Sequence, residues 1–193
     1  EQPDFYGDIM DAIQLVPDPE LLRNMCPQDG KEHPDVWGTI FIYKPGSPGK
    51  HPHVNDSNAV IKDIEKWEEQ LKVPSLENLD WEPAKKAAAA VDRKEKFTGF
   101  MFSGGLFERT HHLMGMENAL INYLEYPEEM AGVLRKIADY KIAYIKMAAE
   151  EIHPDIIFYH DDWGSKQNLF LPPRVWRELI KPLQQEISDT IHE

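Results

Sequence analysis

The stretch that most restricts the fold runs from Pro127 to Ile152, followed by Pro154 and the apolar run Ile156-Ile157-Phe158-Tyr159. Met130, Val133, Leu134, Ile137, Tyr140, Tyr144, Met147 and Ala148 fall on one stripe. Their spacing, with a period of about 3.6, predicts a single long amphipathic helix over 127–152. Pro154 closes that helix, because proline cannot continue the hydrogen-bond ladder. The apolar run then predicts a strand of the kind buried between helical layers, which is apolar along its length. It ends abruptly in His160-Asp161-Asp162, then Trp163 and Gly164. In α/β folds ligands meet the carboxyl ends of the strands, and three ionisable groups at that position fit a pocket mouth.

The rest of the chain reads as more of the same alternation. "VWGTIFIY", Val36 to Tyr43, predicts a strand, and "KFTGFMFSGG" predicts another that ends at Gly104-Gly105. Between them lie a long turn-forming loop, Lys44 to Asn58, and two helical segments, "DIEKWEEQL" and "EPAKKAAAAVDR". Pro172-Pro173 opens a last helix, with a kink expected at Pro182. Residues 1–35, punctuated by Pro3, Pro17, Pro19, Pro27 and Pro34, predict short helices and loops that open a single α/β domain over 1–193, whose main strands and helices lie in 36–193. Strands separated by long helices indicate parallel pairing and a (β/α)8 TIM-barrel type of fold. Such a barrel typically needs about 250 residues. With three convincing strands and an ending inside a helical pattern, the expectation is an incomplete barrel from a longer polypeptide.

Charge and composition narrow the partners. The formal net charge of -13 argues against nucleic acid and against an anionic membrane surface. No run approaches the roughly 18 apolar residues of a membrane span, and no signal peptide is visible. One cysteine, Cys26, leaves no internal disulfide and suits a reducing cytoplasm.

Two constellations could carry chemistry. In "YHDDWG", neighbouring carboxylates at a strand end can bind a cation, orient a substrate, or have one acid raised in pKa. The plainer alternative is that Asp161 or Asp162 caps a turn or a helix. In "SGGLFERTHHLMG", paired glycines let backbone approach a ligand, and Glu108 and Arg109 share the rim if the strands are parallel. Arg109 could hold a substrate carboxylate or pair with Asp161 or Asp162; a structural ion pair is the alternative. His160, Asp161 and Asp162 are the candidate catalytic groups. Phe107, Glu108, Arg109, Tyr159 and Trp163 are the candidate substrate contacts. His111-His112 and the loop histidines His51 and His53 are weak metal candidates, because adjacent helical histidines diverge and no third ligand accompanies the loop pair. No metal ligand is assigned. Ser103 and Ser165 lack a nucleophile elbow.

The segments "DVWGTIFIY", "GGLFERTHHLMGMENALINYLEYPEEM" and "PDIIFYHDDWGSKQNLFLPPRVWRELIKPL", in that order, resemble the uroporphyrinogen decarboxylase superfamily. That group also contains corrinoid- and coenzyme M-linked methyltransferases. The resemblance implies a TIM-type barrel of which this chain covers the first half or slightly more. Decarboxylases of the group bind a tetrapyrrole bearing eight carboxylates and carry an Arg-rich segment near their start. This chain shows no such segment, and its arginines do not cluster in a loop. The methyltransferase branch is similar in more respects. Its members hold zinc through His-x-Cys and a later Cys, a motif not found here, so zinc and a corrinoid are expected only for a full-length methyltransferase.

The first expectation is therefore a cytoplasmic enzyme of anaerobic metabolism that transfers a methyl group from a small methoxy-aromatic or methylamine. A corrinoid protein would be its partner, and a homo-oligomer or the remainder of a longer chain would complete it. Uroporphyrinogen decarboxylation comes second, and a non-catalytic ligand-binding or assembly fragment third.

Overall fold

The computed structural model describes residues 27–102 and 104–193. Expectations for residues 1–26, and for Ser103, lie outside the described residues. The fold is mixed α/β, with a three-stranded antiparallel sheet, a two-stranded parallel sheet and a helical layer.

Asp35 starts the antiparallel sheet with a turn. Its Oδ1 accepts the backbone N–H groups of Trp37 at 2.9 Å and Thr39 at 2.8 Å. Gly38, at φ +83°, takes a left-handed conformation that suits glycine. The turn joins β1 (Glu32–Pro34) to β2 (Ile40–Ile42), and β3 (His51–Pro52) pairs on the other edge of β2. The strand expected over Val36–Tyr43 is thus shorter, and antiparallel rather than part of a parallel wall. The physical reason is local: the Asp35 carboxylate captures the amides that a continuous strand would have offered to a neighbour.

A 3-10 turn (Ile64–Lys66), capped by Asp63 through the Glu65 N–H, leads into α1 (Trp67–Gln70). Helix α2 (Glu82–Ala89) has proline in its first turn and buries Ala84 and Ala88. Strand β4 (Gly99–Phe102) pairs in parallel with β5 (Ile156–Tyr159), from Gly99 opposite Ile156 to Phe102 opposite Tyr159. Three helices connect them: α3 (Leu106–Met114), α4 (Met116–Glu125) and α5 (Pro127–Ile152). Gly115, at φ +83°, makes the corner between α3 and α4.

Helix α5 follows the predicted stripe. Met130, Val133, Leu134, Ile137, Tyr144 and Ala148 are buried, with Tyr140 and Met147 packed at the margin of the same core. His153, in a left-handed conformation, ends it just before Pro154. The stripe also buries Lys141, which is 3% exposed.

The last helical stretch opens at Pro173, as α6 (Pro173–Val175), and continues as α7 (Lys181–His192). The discontinuity expected at Pro182 takes the form of a π-helical turn, Trp176–Ile180. Pro182 has no N–H for the carbonyl one turn earlier, and widening the preceding turn accommodates its ring. Among the described residues no helix is long and apolar enough to cross a membrane. The parallel β4–α3–α4–α5–β5 unit is the piece that positions the candidate site.

Candidate functional site

Because Phe102 sits opposite Tyr159, the carboxyl ends of β4 and β5 finish side by side. The chain leaves β4 through Gly104-Gly105 into α3, and leaves β5 through His160-Asp161-Asp162. Helix α3 has no capping side chain of its own, since its N-cap is Gly105. Asp161 takes that role from across the rim. Its Oδ2 accepts the Phe107 N–H at 3.0 Å and its Oδ1 accepts the Glu108 N–H at 2.9 Å. The same carboxylate accepts Trp163 Nε1–H at 2.7 Å and the Asp162 N–H at 3.1 Å. A negative charge at the start of a helix also meets the positive end of its dipole. Asp161 is therefore the anchor between the two strand ends.

Arg109 points elsewhere. Its Nη1 donates to Asp35 Oδ2 at 2.6 Å, with side-chain exposures of 13% and 4%. The guanidinium also lies 5.1 Å from the centre of the Trp37 ring. Of the partners open to Arg109 in the sequence, neither Asp161 nor Asp162 is taken. Asp35 is held ready by the turn amides on its other oxygen, so pairing with it requires little further ordering.

Glu108 and His160 come together, with Nδ1 3.3 Å from Oε2. A carboxylate on one ring nitrogen orients the imidazole and leaves proton exchange to the other. Asp162 is exposed next to them. Phe158 and His160, two residues apart on β5 and its continuation, stack with centroids 6.4 Å apart and planes 19° apart. Phe107 is a core residue, 1% exposed and stacked on Phe170 at 5.6 Å. What it brings to the rim is its backbone N–H. Trp163 packs edge-on against Trp176 at 5.0 Å, and both line a narrow apolar slot with Leu169 and Leu171. Tyr159 turns toward the helical layer, where Lys141 Nζ lies 5.5 Å from its ring. Burial raises its phenol pKa, and the Asp161 charge adds to that.

The paired histidines diverge as helical neighbours must, their rings edge-to-face at 4.6 Å. His112 is 7% exposed against Phe41, and its Nδ1 has no hydrogen-bond partner among the described residues. Burial pushes its pKa down to about 2, with Arg109, His111, Lys50 and Lys141 pushing the same way. The folded value thus lies below the unfolded one, so the unfolded chain takes the proton first. His112's contribution to stability is complete above about pH 6.5 and is lost as pH falls from there toward its folded pKa. The limiting slope is about 1.4 kcal/mol per pH unit. Urea unfolding between pH 7 and pH 4 should show a shallower loss of stability in His112→Leu than in the parent protein. Equal slopes would mean that His112 is protonated in the folded state.

Two residues of this region were not singled out by motif. Asp35 gives its signal in "HPDVWG", an Asx-turn composition just ahead of a strand. Lys141 gives its own by falling four residues after Ile137 on an otherwise apolar stripe. Burial holds its pKa well below the usual lysine range, Arg109 acting in the same direction.

Zinc and a corrinoid were expected of a full-length methyltransferase. Among the described residues no three His, Cys, Asp or Glu side chains converge on a point that could hold a metal ion. The donor set among the described residues at this rim does not make a zinc site.

No curated protein and no solved structure matches the chain. A family model described as uroporphyrinogen decarboxylase (URO-D) matches residues 34–193. The match runs from the Asp35 turn through both strand ends to the last helix, and the chain belongs to the uroporphyrinogen decarboxylase family.

Proposed function

We propose that the chain carries the substrate rim of a corrinoid-linked methyltransferase of this family. Its substrate would be a small methylated compound, such as a methoxy-aromatic or a methylamine, and a corrinoid protein would be its partner. The observation that carries this reading is the charge balance at the strand ends. Glu108, Asp161 and Asp162 gather there, while Arg109 is already neutralised by Asp35. Arg93 belongs to the opposite end of the sheet, where it pairs with Asp155 just ahead of β5. Arg135 pairs with Asp139 and Glu186 on the helices. A tetrapyrrole with many carboxylates needs several cations to hold it, and this rim would repel it.

In this reading Asp161 fixes the geometry, Glu108 orients His160, and His160 with Asp162 balances the proton on the departing group. The test is to incubate the protein with methylated substrates and cob(I)alamin and to follow methylcobalamin by its absorbance. Methyl transfer is expected, and His160→Gln and Asp162→Asn should each slow it about 100-fold at unchanged melting temperature. Conversion of uroporphyrinogen to products with fewer carboxylates, without methyl transfer, would establish decarboxylation instead.

A further inference from the structure

Of the two substrate types, the rim's charge and its exposed ring favour one. Strand side chains alternate, and Tyr159 is turned toward α5, so Phe158 and His160 share the opposite face of β5. Phe158 is 39% exposed, although it is a large apolar side chain at the end of a strand. The His160 side chain is 46% exposed, and its ring is stacked nearly parallel to that of Phe158, with centroids 6.4 Å apart. The pair forms an aromatic floor, and Glu108 stands at its edge, 3.3 Å from His160 Nδ1.

We infer that this floor binds the substrate's methyl-bearing group as a methylated ammonium cation, in preference to a neutral methoxy-aromatic ring. The inference rests on the methyl-transfer reading for its chemistry and on the floor itself for its recognition. Either guest could lie on the two rings. Stacking a neutral ring contributes on the order of 1 kcal/mol. A cation over the same face gains a comparable amount. It also gains attraction from a carboxylate, about 1 kcal/mol at 4 Å in water and several times that in a partly enclosed site. With Arg109 held by Asp35, the carboxylates beside the pair are Glu108, hydrogen-bonded to His160, and the exposed Asp162 that follows in sequence. A substrate carboxylate would meet repulsion there, a phenol ring would be indifferent to most of it, and an ammonium group would be attracted. The amine departs neutral from a methylated ammonium and takes up its proton afterwards, at His160 as oriented by Glu108.

The probes are trimethylammonium chloride and 2-methoxyphenol, titrated separately into the protein with no methyl acceptor present and followed by calorimetry. Trimethylammonium should bind saturably, more weakly as salt is raised. Phe158→Leu, which keeps the apolar volume but removes the ring, should weaken it about tenfold, and Glu108→Gln by a similar factor. Both variants should keep the parent melting temperature. Saturable binding of 2-methoxyphenol with none of trimethylammonium would overturn the inference. So would a fall in melting temperature or a change in oligomeric state in Phe158→Leu without any change in affinity, because another polypeptide surface would then cover the ring. If trimethylammonium binds as described but no methyl group reaches a corrinoid, the methyltransferase reading fails and the floor stands. If methoxy-aromatics donate methyl groups and Phe158→Leu leaves that rate unchanged, the reading stands and the cation floor fails.

Discussion

Gly105→Ala is expected to destabilise the protein by about 3–5 kcal/mol, a large share of the roughly 5–15 kcal/mol that holds a domain together. Gly105 has an ordinary φ of -55°, so the effect does not come from backbone strain. A methyl group there would lie inside van der Waals contact with Cβ and Cγ of Asp161 and 2.6 Å from its Oδ1. Asp161 cannot retreat without releasing the N–H groups of Phe107 and Glu108 and the indole N–H of Trp163. Leaving two helix N-terminal amides and a partly buried donor without an acceptor is the main expense. Gly49→Ala makes a control, because nothing lies within 4 Å of its added carbon. Urea midpoints should separate the two variants clearly. A Gly105→Ala protein within 1 kcal/mol (roughly, by the error of such extrapolations) of the parent would show that the cap is not what joins the strand ends.

Asp35→Ala should have an effect of similar size, about 3–5 kcal/mol, for a different reason. The substitution leaves the Arg109 guanidinium, whose side chain is 13% exposed, without its partner. It also removes the acceptor for the Trp37 and Thr39 amides that shape the β1–β2 turn. An unpaired buried charge is costly, whereas removing both charges is often nearly neutral. Asp35→Ala combined with Arg109→Met should therefore be more stable than Asp35→Ala alone. Denaturant unfolding of the two single variants and the double gives the coupling directly. Additive effects would mean that the pair contributes little and that the turn amides carry the loss.

Both predictions concern residues whose importance the sequence shows unevenly. The acid triplet and the Glu-Arg pair stand out because each follows an apolar run at a glycine or an abrupt polar switch. That Asp161 caps α3 rather than one of its own neighbours does not stand out. Its acceptor role joins residues more than 50 positions apart, and nothing in the spacing of either segment records the other. The same holds for Arg109, whose partner Asp35 lies 74 positions away. Lys141 is the opposite case. Its place four residues after Ile137 on the apolar stripe is visible in the periodicity, and the packing around that stripe decides its burial.

Local pattern alone was sufficient for α5, from Pro127 to the turn at His153-Pro154, for the parallel strand Ile156–Tyr159, and for the Pro172-Pro173 start of the last helical stretch. Those elements follow from side-chain period and from proline's missing N–H, which act over a few residues. The antiparallel partner of Ile40–Ile42, the Asp35–Arg109 pair, the trans cap from Asp161 and the shared face of Phe158 and His160 came only with the packed chain. Each depends on which segments the core brings into contact. A carboxylate's partner is the donor that packing places within about 3 Å, and sequence distance carries no record of that choice.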